Sequence, residues 1–156
     1  MYKLGLDIHG VIDNNPESFG FLSKSVISTG GEVHIITGGS WTDNLKKLID
    51  DNKIQYTHHF SVYDHLKSIN AEVIGFIKFP DGSTQLKFNN DQWDSIKGEY
   101  CENNKISLHI DDTDIYSNFF KTPFLLFKSS DFVDKLSHVD IRKLMWWLDR
   151  LIDKII

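Results

Sequence analysis

One cysteine, three prolines and no long hydrophobic run set this 156-residue sequence apart from several protein classes at once. A single thiol, Cys101, cannot close an internal disulfide, which fits a reducing, cytoplasmic compartment. No apolar stretch approaches the roughly 20 residues that cross a bilayer. The start of the chain lacks the charged-then-apolar layout of a secretory signal. Basic charge is also in short supply: 17 Lys and Arg against 22 Asp and Glu give a net charge of −5. Membrane-surface and general nucleic-acid binders need a basic face, so neither is expected. Internal repeats and low-complexity tracts are missing. The composition that remains is 40% hydrophobic and 13% aromatic, enough for one buried core and a single domain over residues 1–156.

The patterning is that of an α/β protein. Residues 2–6 form an apolar run of strand length that delivers Asp7, then His9 and Gly10. Asn15 and Pro16 read as a helix start, and Phe19, Leu22, Val26 and Ile27 give that helix one apolar face. Gly30-Gly31 stops it. A second strand, 32–36, ends at Thr37-Gly38-Gly39-Ser40. The segment from Asp7 to Thr37 is thus a βαβ unit, whose crossover requires two parallel strands. A helix through Leu45, Leu48 and Ile49 follows, capped by Ser40 or Thr42, then a strand over 54–60 and a short helix over 63–69. Residues 73–79 and 84–88 are β-like and flank Pro80-Asp81-Gly82-Ser83, strong turn chemistry. This predicts a hairpin inserted at roughly 70–91. A helix over 92–102 carries Lys97 and places Cys101 as a core filler rather than a reactive thiol. A fourth core strand, 105–110, runs into Asp111-Asp112-Thr113-Asp114. A loop or short helix near 116–120 and a fifth strand, 123–127, come next. An amphipathic helix is expected over 140–156, with Trp146-Trp147 divided between core and rim.

Three of these strands end in groups suited to phosphate or metal chemistry: Asp7, Thr37, and Asp111 with Asp112. Lys97 precedes the last pair. Parallel strands deliver such groups to one edge, where open α/β sheets bind their ligands. The order Asp, Thr, Lys, Asp-Asp, with Asp7-Ile8-His9-Gly10-Val11 at the first strand, resembles the haloacid-dehalogenase-like (HAD) superfamily of hydrolases, in its small-cap phosphatase type. The resemblance runs from Asp7 to about Asp114. It implies a three-layer, Rossmann-like parallel sheet with the hairpin as a small cap. Asp7 would be the nucleophile that takes the phosphoryl group. Thr37 and the backbone of Gly38 and Gly39, at the start of the next helix, would bind phosphoryl oxygens. Lys97 would steady the nucleophile and neutralise the phosphate. Mg²⁺ would be held by Asp7, Asp111, Asp112 and the backbone carbonyl of His9.

His9 stands where phosphatases of that superfamily carry a second aspartate as general acid and base. Two readings follow. Either the imidazole does the proton work, or His9 is a turn residue in a weakened or non-catalytic member that binds phosphate or a protein partner. Other positions also have a plainer reading. Thr37 can be an ordinary strand end, Lys87 competes with Lys97, and Asp112 and Asp114 can cap a turn. His58-His59 with His65 form no zinc site by pattern, since neighbours on a strand face opposite ways. A phosphoacceptor receiver domain uses the same residue types, but with its acidic pair first and its lysine last. The leading expectation is a Mg²⁺-dependent phosphomonoesterase that acts on a small phosphorylated substrate such as a nucleotide.

Overall fold

The computed structural model describes residues 1–128. The helix expected over 140–156, with Trp146 and Trp147, lies outside them. Five strands form one parallel sheet in the order β3-β2-β1-β6-β7. They are β1 (Lys3–Leu6), β2 (Glu32–Thr37), β3 (His58–Ser61), β6 (Leu108–Asp111) and β7 (Phe124–Leu126). The remaining pair, β4 (Val73–Lys78) and β5 (Thr84–Phe88), is an antiparallel hairpin with a sheet of its own. The helices are α1 (Pro16–Ser28), α2 (Asp43–Asp51), α3 (Val62–Ser68) and α4 (Asn90–Asn103). None of the described helices is long and apolar enough to cross a membrane.

Alternation along the strands sorts the helices into two outer layers. Leu4, Leu6, Val33, Ile35 and Ile110 pack with Phe19 and Val26 of α1 and Leu45 and Ile49 of α2. On the opposite face, Ile36 and Ile106 close on Cys101 of α4, while Val62 and Leu66 of α3 meet Ile96 of α4 and Phe88 of β5. Cys101 is fully buried, and burial pushes its thiol pKa up to about 12, so it is the inert filler expected.

The helix starts follow the sequence closely. Asn15 accepts from the Ser18 N–H, and Thr42 from the Leu45 N–H. The helix ends explain where strand boundaries differ from expectation. Gly30, Lys53, Asn70 and Lys105 all take positive φ. One residue later, Gly31, Ile54, Ala71 and Ile106 donate N–H back to Val26, Ile49, Leu66 and Cys101. This is the Schellman closure that satisfies the last helical carbonyls. Residues 54 and 105–106 therefore finish helices rather than begin strands. The third strand begins at His58 instead of 54, and the fourth core strand at Leu108 instead of 105.

Candidate active site

The parallel register sets the carboxylates side by side. Leu6 pairs with Ile110, and the Asp7 N–H continues the ladder by donating to the Ile110 carbonyl at 3.0 Å. Asp7 and Asp111 are thus level on neighbouring strands, on the face covered by α4. Lys97, one turn before Cys101 on α4, reaches both. Its Nζ donates to Asp111 Oδ2 at 2.6 Å and pairs with Asp7 Oδ1 at 3.1 Å. All three residues are buried, Asp111 completely. Asp112, exposed, completes the group: one oxygen from each of Asp7, Asp111 and Asp112 lies within 4.8 Å of the others. Gly10, at φ +80°, makes room for Asp112, because a Cβ there would sit 2.0 Å from Asp112 Oδ2.

The electrostatics differ between the two buried acids. Burial is the largest influence on Asp7 and raises its pKa to about 6, against the opposing pull of the Lys97 charge. Burial also works to raise Asp111, but the hydrogen bond from His109 and the Lys97 charge outweigh it and hold that carboxyl at about 2. Lys97 loses solvation, yet its two acidic neighbours raise its pKa and keep it charged.

Carboxylates outnumber the ammonium here three to one. Such excess negative charge in an all-oxygen donor set fits a hard divalent cation, which favours oxygen ligands. The residues can hold a metal ion; its identity is not fixed by their placement.

The other expected residues divide. Thr37 ends β2, fully buried, and its hydroxyl has no hydrogen-bond partner among the described residues. Gly38 and Gly39 follow it, but not at a helix start: α2 begins at Asp43, so no helix dipole adds to their N–H groups. Their carbonyls accept from the Tyr63 N–H and the Ser61 hydroxyl. The His9 side chain turns to Asp13. It is 67% exposed, and Nδ1 lies 3.1 Å from Asp13 Oδ2. Lys87, the competing lysine, is exposed on the hairpin. Asp114 opens a short 3-10 helix, Asp114–Phe119.

Sequence reasoning missed a supporting layer. His109 is fully buried, and its Nε2 lies 3.2 Å from Asp111 Oδ2. Its ring stacks on Phe120, and Gly5 leaves the room it needs, since a Cβ on Gly5 would meet His109 Nδ1 at 2.7 Å. Tyr116 lies under Lys97, with Nζ 4.8 Å from the ring centre. Trp93 Nε1 donates to the Tyr116 hydroxyl at 3.2 Å. The strand spacing His109-x-Asp111 was the available signal for the first of these. Nothing local marked the other two. Comparison with protein-family models, with curated proteins and with solved structures finds no match for this chain.

Proposed function

We propose that this protein is a phosphomonoesterase in the manner of the HAD-like superfamily, working through an aspartyl-phosphate on Asp7 with Mg²⁺ as cofactor. One observation carries the reading. Lys97 bridges Asp7 and Asp111 at the carboxyl edge of the sheet, with Asp112 close by. In this reading Asp7 attacks phosphorus, the bond to the leaving oxygen breaks, and water later cleaves the acyl phosphate to regenerate the carboxylate. Lys97 offsets the negative charge of the incoming phosphoryl group and aligns the nucleophile. Thr37 supplies an unspent hydroxyl for a phosphoryl oxygen. Asp7, Asp111 and Asp112 would hold the cation, which when bound would neutralise phosphate charge. The hairpin serves as a small cap, which leaves room for a nucleotide or another small phosphorylated compound.

The test is Mg²⁺-dependent release of phosphate from a generic aryl phosphate. Activity should appear with Mg²⁺, vanish with chelator, and be lost in Asp7→Asn. A folded, metal-supplied protein that releases no phosphate from an aryl phosphate or from a panel of phosphorylated metabolites overturns the reading.

The placement of His9 favours a second reading, a phosphate- or partner-binding protein with weak or no turnover. Positioned acid–base catalysis contributes roughly 10²–10⁴-fold. If His9 does the proton work, His9→Ala should lower turnover by a factor in that range, while His9→Asp retains activity. An unchanged rate in the alanine variant removes His9 from the chemistry.

A further inference from the structure

A second cluster of metal-ligating side chains lies on the same face of the sheet, but toward the opposite, amino-terminal end of β2. Glu32 and His34 are two apart on a strand and so share a face. His34 is in register with His58 of β3. Their rings stack at 4.3 Å between centres. His34 Nε2 lies 3.1 Å from Glu32 Oε2, and His58 Nδ1 lies 3.9 Å from the same oxygen. One ligand atom from each residue falls within 4.8 Å of the others. We propose that Glu32, His34 and His58 bind a transition-metal dication, Zn²⁺ by preference, at a site separate from the Asp7 cluster.

The donor set selects the metal. Two imidazoles and a carboxylate suit Zn²⁺, Cu²⁺ or Ni²⁺, whereas Mg²⁺ prefers oxygen alone. Ligand atoms about 2.0–2.1 Å from a tetrahedral zinc lie about 3.3 Å apart. The separations of 3.1 and 3.9 Å to Glu32 bracket that value, so side-chain adjustment suffices. Three protein ligands leave a fourth position for water.

The surroundings also fit. His34 Nδ1 is 2.8 Å from the Tyr100 hydroxyl. Metal-binding histidines have their second nitrogen fixed in this way by an outer partner. A metal-bound His34 is the neutral imidazole, which carries a single ring proton. With metal on Nε2, its one proton sits on Nδ1 and is donated to the Tyr100 oxygen. His58 is half exposed and gives solvent access. Three contacts must yield. The His34 Nε2–Glu32 Oε2 hydrogen bond breaks as the ring proton moves to Nδ1, Lys3 Nζ pairs with Glu32 Oε2 at 3.0 Å, and His58 Nδ1 meets Thr57 Oγ1 at 2.9 Å. A partly exposed ion pair and two hydrogen bonds are weak competitors against metal–nitrogen bonds.

Cobalt titration of the untagged, chelator-treated protein reads the site directly, since Co²⁺ bound by nitrogen ligands absorbs in the visible. One equivalent should bind with that signature in the wild type and equally in Asp112→Asn. His58→Ala, an exposed replacement whose fold circular dichroism can verify, should abolish the band and weaken Zn²⁺ binding about 100-fold or more. Glu32→Gln should weaken it as well, and Tyr100→Phe by about 10–100-fold. Phosphate release with Mg²⁺, where present, should be unaffected in His58→Ala. A wild type without the band, a band that survives in folded His58→Ala, or one lost in Asp112→Asn overturns the proposal and leaves these contacts as a structural network.

Discussion

Asp7 and Asp111 stand level on adjacent strands, yet their protonation pulls stability in opposite directions. The folded pKa of Asp7, about 6, lies above the unfolded value. Its contribution to stability is therefore complete below about pH 4 and is lost as pH rises to about 6. Asp111, held at about 2, contributes above about pH 4 and loses that contribution as pH falls to about 2. Urea midpoints measured without metal should show wild type losing ground to Asp7→Asn between pH 4 and 6. Millimolar Mg²⁺ should restore the wild type at the upper end of that window. Parallel midpoints for the two proteins across pH 4–6 contradict the burial argument. At this scale Asp7, Lys97, Asp111 and Asp112 were legible as residue types delivered by strands and one helix. His109 was not, because a histidine within a short strand carries no mark of the glycine opposite that makes its space.

The helices were legible at both ends, and less so in how those ends close. Asn15 and Thr42 announce their caps because a side chain does the capping. Lys53, Asn70 and Lys105 close helices at a left-handed φ more often given to glycine, and next to the two lysines Asn52 and Asn104 donate side-chain N–H to the Leu48 and Tyr100 carbonyls. Nothing in a lysine signals that role. One helix also depends on a glycine for close packing. A Cβ on Gly98 of α4 would come within 2.3 Å of the Phe119 carbonyl oxygen, and backbone cannot swing aside as a side chain can. Gly98→Ala should therefore lower stability by about 1–3 kcal/mol in denaturant unfolding. Gly75→Ala, with nothing within 4 Å of the added methyl, serves as the control and should shift the midpoint far less.

Across the whole molecule, the βαβ opening, the later strands and the turn at Pro80-Asp81-Gly82-Ser83 were all readable, and five parallel strands with a separate hairpin agree with them. The strand order was harder to foresee. It puts β1 between β2 and β6, and local periodicity says nothing about which distant strands will pair. The hairpin divides its apolar residues sharply. Phe76 is 69% exposed, whereas Phe88 is 3% exposed among Val62, Leu66 and Ile96. Phe88→Ala should cost about 3–5 kcal/mol. Phe76→Lys should stay within about 0.5 kcal/mol of wild type. Equal losses would mean that the outer strand is covered.

The pairing of the first strand with the sixth has a consequence for biosynthesis. When the ribosome has finished α4, Asp7 and Lys97 have been made but their acidic partners Asp111 and Asp112 have not. A nascent chain arrested before Leu108 should therefore bind neither Mg²⁺ nor phosphate at that edge, however much of its amino-terminal half has already folded.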